Sequence, residues 1–175
     1  RAGLIDAPRY LKLVAKTVSG VLATPGRQVQ SVAQASFDAW VKYYRSDENT
    51  PNATISYYTK GALVALALDL TLRAEGRGSL DDVMRGLWAR SRGGPINEAD
   101  IVAVLHDVAG RSLAAELQAW VHGTDELPLQ ALLAQAGVHW VQSAPTMAQR
   151  LGVRASESAL TGIKLTHVLR GSAAE

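Results

Sequence analysis

The run Tyr57-Tyr58-Thr59-Lys60-Gly61 opens directly into Ala62-Leu63-Val64-Ala65-Leu66-Ala67-Leu68-Asp69-Leu70, the most apolar stretch of the chain. A tyrosine phenol donates a hydrogen bond without carrying charge, which suits an oxyanion that develops during acyl transfer. On one helix, neighbouring residues point about 100° apart, so Tyr57 and Tyr58 are not expected to face the same pocket. Periodicity alone favours a plainer reading, with both tyrosines as amphipathic rim residues and Lys60 laid over apolar surface.

Other chemistry finds little support. A zinc peptidase site on one chain needs two histidines a helical turn apart with a glutamate beside the first. His106, His122, His139 and His167 are too far apart for that pattern. His106-Asp107 reads as a half-exposed surface pair, and His122 as a cation near a helix C-terminus. His139 and His167 read as polar positions of strands. With no cysteine, thiol catalysis, disulfides and thiolate-bound metal are excluded. The serines include no Gly-x-Ser-x-Gly elbow. Asp81 and Asp82 fall at a helix start, where carboxylates favour the dipole.

The 175 residues carry 18 Lys plus Arg against 16 Asp plus Glu, a net charge of +2. The basic residues are scattered, so no nucleic-acid partner is expected. Apolar residues make up 47%, enough for a sizeable core. No apolar run reaches the length of a membrane span, and no leader pattern follows Arg1-Ala2-Gly3. The expectation is a cytoplasmic protein without membrane contact. The missing initial Met reads as an excised piece of a longer chain.

The elements that would position these residues are mostly helical. Asp6 and Pro8 start a helix with Tyr10, Leu11, Val14 and Val18 on one stripe. Ser31–Tyr44 reads as one helix or two short ones. Arg45–Thr54 is too polar and too rich in turn residues for regular structure. Ile55–Arg73 forms a central helix, apolar on every side and so buried among others. Ser79-Leu80-Asp81-Asp82 starts the next, with Val83, Leu87 and Trp88 facing inward. Asn97 caps Glu98–Val108, and Ser112 caps Leu113–Val121. That pair has the length of a helix-turn-helix, but its second helix has no Lys or Arg for phosphates. A boundary follows between Gly123 and Gly137, enclosing a short helix from Leu129 to Ala136. Beyond it, Val138–Val141, Leu151–Arg154 and the alternating Ile163–Leu169 read as strands. Gly171–Glu175 reads as a turn opening into an unfinished helix.

Several of these runs resemble the glycyl aminopeptidase family, zinc metallopeptidases that carry a PDZ domain. They are Ser36–Arg45, Asp47–Asn52, Ser56–Val64, Ser79–Met84, Gly123–Pro128 and Gly171–Ala174, in that order. The resemblance implies a mainly α fold, about six helices around a buried central helix, followed by a short β-containing piece of a truncated PDZ domain. It divides the chain into a helical domain at 1–123, a linker with a short helix at 124–137, and an incomplete PDZ part at 138–175. The family's zinc-binding His-Glu-x-x-His helix would lie upstream. This chain is therefore expected to bind no cofactor and to be inactive alone, with zinc in the parent enzyme. Tyr-x-Lys-Gly is shared with alanyl-type aminopeptidases, where the tyrosine bonds the oxyanion. That role falls on Tyr58, with Tyr57 as runner-up. Lys60 and Gly61 support it, Lys60 structurally and Gly61 by allowing close helix packing. The expected partners are a peptide substrate in the parent enzyme and the upstream catalytic domain. The exposed PDZ strands could also pair with another copy. The alternative is a non-catalytic helical interaction module with a PDZ-like peptide-binding segment.

Overall fold

The computed structural model describes residues 3–160 and 162–175. In chain order its helices are α1 (Ala7–Leu22), α2 (Val32–Phe37), α3 (Thr50–Ala53), α4 (Tyr57–Ala74), α5 (Leu80–Ser91), α6 (Glu98–Ala109), α7 (Ala114–Leu117), α8 (Leu129–Gln135) and α9 (Met147–Leu151). Two strands follow, β1 (Val153–Ser158) and β2 (Gly162–Val168), in an antiparallel pair. The fold is thus mainly α with a small β piece at the end. None of the helices among the described residues is long and apolar enough to cross a membrane.

The chain forms two compact units: Arg1–Lys60 with Gln142–Glu175, and Gly61–Val141. These limits differ from the boundary read at Gly123. The β1–β2 hairpin belongs with the N-terminal sixty residues because side chains there hold it. Buried Asn52 donates from Nδ2 to the Val168 carbonyl at 2.9 Å and accepts the Arg170 N–H at 2.8 Å. Arg154 donates to Thr24 Oγ1 at 2.9 Å.

In the first unit, Asp6 caps α1 through Oδ1 to the Arg9 N–H, with Pro8 in the first turn. Only Val18 and Val21 of α1 are fully buried, while Tyr10 and Leu11 remain exposed. The stretch after Ser31 is broken into α2 and a wide π-type turn at Ala39–Tyr43. The Arg45–Thr54 loop is not wholly irregular. Pro51 starts the single turn of α3, and Asp47 Oδ1 accepts from the Asn49 N–H and the Thr50 hydroxyl. Val138–Val141 forms no strand, so His139 is not a strand position. Leu151 closes α9 and Gly152 takes the left-handed C-cap conformation, so the strand begins only at Val153. β2 has an extra residue opposite β1, a bulge after the Arg154–His167 pair, and Thr166 Oγ1 donates to the Arg154 carbonyl at 3.1 Å. Gly171–Glu175 forms turns only.

The second unit is built on the apolar body of α4, where Leu63, Val64, Ala67, Leu68 and Leu72 are buried. Its two polar side chains have partners. Thr71 Oγ1 donates to the Ala67 carbonyl, and Asp69 accepts the Leu80 N–H at the start of α5 and the Arg73 Nε–H. Ser79 and Asp82 form a capping box for α5. Val83 and Leu87 face inward, but Trp88 is 73% exposed. Leu87 shares a face with positions three or four away, and Trp88 lies a further 100° or so around the helix. Gly86 lets α5 approach α6, since a Cβ there would sit 2.6 Å from Val104 Cγ1. Asn97 caps α6 and Gly110 ends it. The segment after Ser112 starts as the short α7 and loosens into a π-type turn at Gln118–His122.

Candidate functional site

The first turn of α4 places Tyr57 and Tyr58 in one aromatic cluster within the first unit. Their ring centroids are 4.2 Å apart at an interplanar angle of 32°. Divergence along the helix is overcome because Tyr43, from the wide turn, contacts both rings at 5.5 and 6.0 Å. Tyr44 packs edge-on against Tyr43 at 5.2 Å and Trp40 lies against Tyr44 at 5.2 Å. The expectation that the two tyrosines look into different surroundings is therefore corrected. Two consecutive residues splay about 100° at Cβ, but long phenol side chains converge when a third ring fills the gap.

The polar ends of the rings are also linked. Tyr44 OH and Tyr58 OH lie 3.5 Å apart, and Ser56 Oγ donates to Tyr43 OH at the same distance. Tyr58 is 58% exposed, so its hydroxyl is open to solvent as well as to Tyr44. The bond from Tyr44, then that from Tyr57, stabilises the Tyr58 phenolate and holds its pKa below 10.0. Tyr57 is pushed well above the ordinary value by hydrogen bonding to Tyr58 and Tyr44. Tyr44 is raised chiefly by its bond to Tyr58. The three phenols titrate as a coupled group, in which the shift at Tyr58 is downward and those at Tyr44 and Tyr57 are upward. A more acidic phenol is also a stronger hydrogen-bond donor while it remains neutral.

Lys60 is not laid over an apolar surface. It is buried at 3% exposure, and Nζ donates to the Arg27 carbonyl at 3.2 Å, tying α4 to the 3-10 turn Pro25–Gln28. That turn packs tightly, since a Cβ on Gly26 would lie 2.0 Å from the Thr54 carbonyl oxygen. Gly61, next in sequence, is half-buried. Tyr43, Tyr44 and Ser56 were not singled out from the sequence as partners of Tyr58. The only signal was their place in the runs on either side of the Asp47–Asn52 loop.

The histidines remain apart. His106 and Asp107 form an exposed pair at 3.7 Å. His122 Nε2 lies 2.6 Å from Glu98 Oε1, and His167 Nδ1 lies 2.9 Å from Thr166 Oγ1. Among the described residues, no group of three or more His, Cys, Asp or Glu could hold a metal ion.

The profile of the M61 glycyl aminopeptidase family matches residues 1–64, a span that contains the whole tyrosine cluster and Lys60. The fold is similar to the crystal structure of an aminopeptidase N family protein from Idiomarina loihiensis. The two are 32% identical with a TM-score of 0.85, over 97% of this chain and 32% of that one. This chain therefore spans about a third of the length of that protein. No curated protein matches it. The profile match over residues 1–64 and the structural likeness to an aminopeptidase together support the assignment to the glycyl aminopeptidase family.

Proposed function

We propose that this chain is the helical segment, with part of a PDZ domain, of a zinc-dependent aminopeptidase, and that Tyr58 donates a hydrogen bond to the oxyanion of the tetrahedral intermediate. The observation that carries the reading is the Tyr44–Tyr58 pair. It leaves Tyr58 exposed and, while its phenol is neutral, a better donor than an isolated phenol. Lys60 fixes the start of α4 and so the position from which Tyr58 projects. The residues described here do not fit a zinc site, so the metal of the parent enzyme would be held by other parts of its chain. The helical segment would wall the cleft, and by itself it would not turn over peptides. The likeness to glycyl aminopeptidases points to small N-terminal residues such as glycine as the substrate side chain.

The test is Tyr58→Phe in the full-length parent enzyme. Loss of one oxyanion donor is expected to lower kcat by about 10²–10³ with little change in KM. An unchanged kcat would remove Tyr58 from the mechanism.

One observation favours the rival reading of a non-catalytic interaction module. Phe37 is 91% and Trp40 80% exposed, two large apolar side chains three positions apart that lie open to solvent. The two readings separate on whether the full-length sequence carries an intact His-Glu-x-x-His helix.

A further inference from the structure

The first unit contains a cavity of about 220 Å³ that borders the aromatic cluster at Tyr43 and Ser56, while Tyr44, Tyr57 and Tyr58 are not in its lining. By liquid volume, at about 30 Å³ each, it would hold about seven waters. Pockets for drug-sized ligands start at about 300 Å³. Arg154 is the one charged residue of the lining, and most of the rest carry hydroxyls. Its guanidinium is fixed by bonds from one nitrogen to Thr24 Oγ1 at 2.9 Å and to the Ala23 carbonyl at 3.5 Å. A guanidinium has five N–H donors in a planar fork that matches a carboxylate. Tyr43 OH accepts from Ser56, so its own proton can point to a ligand. Behind Thr50 stands the carboxylate of Asp47, 2.9 Å from Thr50 Oγ1, which would repel a dianion and suit an ammonium.

Gly20 adds an independent observation. It lies inside α1, where glycine weakens a helix relative to alanine. A Cβ at Gly20 would meet nothing within 4 Å among the described residues, so no packing neighbour requires its absence. Gly20 lines the cavity, and a larger residue there would fill it.

We propose that this cavity binds a small zwitterionic carboxylate, a free amino acid or the shortest peptides, with Arg154 pairing the carboxylate and Tyr43 donating a further bond. The proposal stands independently of the oxyanion role of Tyr58, because it is read on the 175-residue chain without turnover. The experiment is an NMR titration of that chain with glycylglycine, acetate and inorganic phosphate at matched ionic strength, following the Arg154 Nε–H and the amides of Thr24 and Thr59. Glycylglycine is expected to give saturable shifts, acetate weaker ones and phosphate none. Arg154→Gln should weaken glycylglycine binding by about tenfold or more. Gly20→Leu should block binding while keeping the helix, and it decides the matter if Arg154→Gln does not fold. No saturable shift with glycylglycine, equal binding of phosphate, or binding retained in Gly20→Leu would each overturn the proposal.

Discussion

Tyr44 and Tyr58, fourteen residues apart in sequence, bring their phenol oxygens to 3.5 Å of each other. Tyr58 is the acidic member of that pair, held below 10.0 by its bonds from Tyr44 and Tyr57. A neutral phenol donates and a phenolate does not, so a donor role for Tyr58 fails as pH rises through this lowered value. In the parent enzyme the alkaline limb of kcat is therefore expected below the ordinary tyrosine range. Tyr44→Phe should move both the limb and the first ionising phenol upward. Absorbance titration of the 175-residue chain checks this, with Tyr58→Phe as the control that removes the early component. An early component that persists in Tyr44→Phe would break the link between the two residues.

Asn52 holds the end of the hairpin by two backbone groups at once. Asn52→Ala removes both bonds, to the Val168 carbonyl and from the Arg170 N–H, at a net cost of about 0.5–1.5 kcal/mol each because both residues are exposed and water can replace the partner. Asn52→Asp keeps an acceptor for Arg170 but sets a carboxylate against the Val168 carbonyl. Hydrogen exchange should show the Arg170 amide exposed in the alanine variant and still protected in the aspartate one. Urea unfolding should place both below the parent chain in stability.

Two glycines in the first unit are expected to respond in opposite directions. Gly26→Ala puts a methyl 2.0 Å from a backbone oxygen of Thr54, which cannot rotate away. Overpacking of this kind costs about 1–3 kcal/mol. Gly20→Ala meets open space inside a helix and is expected to stabilise by about 0.5–1 kcal/mol. Thermal unfolding of the two variants should give Tm shifts of opposite sign.

In the second unit, Arg111 reaches Glu75 at 2.8 Å and Glu116 at 2.7 Å. The Arg111 bond holds the Glu75 pKa below 4.5. The depressed carboxylate contributes stability above its unfolded pKa, and that contribution is lost as pH falls through the folded value. Both partners are partly exposed, so Arg111→Ala should cost about 0.2–1 kcal/mol near neutrality. The gap between variant and parent should close in acid, below the folded pKa of Glu75. A gap that is constant with pH would mean that the ion pair is not its source.

The helices with strong end signals were legible. Asp6 with Pro8, Ser79 with Asp82, and Asn97 with Gly110 fixed three starts and one stop because capping is a local interaction within four residues. The Thr50–Ala53 turn was hidden because its polar composition reads as loop, although Pro51 is suited to a first turn. Val138–Val141 has the composition of a strand but no partner to pair with, and a strand is defined by pairing rather than by composition. The Tyr57–Tyr58 site was legible only as a position. What makes Tyr58 unusual comes from Tyr43 and Tyr44, across a loop that periodicity cannot span. The Asn52 clamp, between residues 116 and 118 positions apart, carries no local signature at all.

That clamp also sets an order of assembly. On the ribosome the chain emerges from its N-terminus at about 5–20 residues per second. Gly61–Val141, continuous in sequence, can complete its own contacts before the hairpin has been made. Asn52 must meanwhile wait for Val168 and Arg170, with its amide served by water. The unit that holds the tyrosines is thus the first to begin and the last to close, and truncation behind Arg154 would leave it open however well the remainder folds.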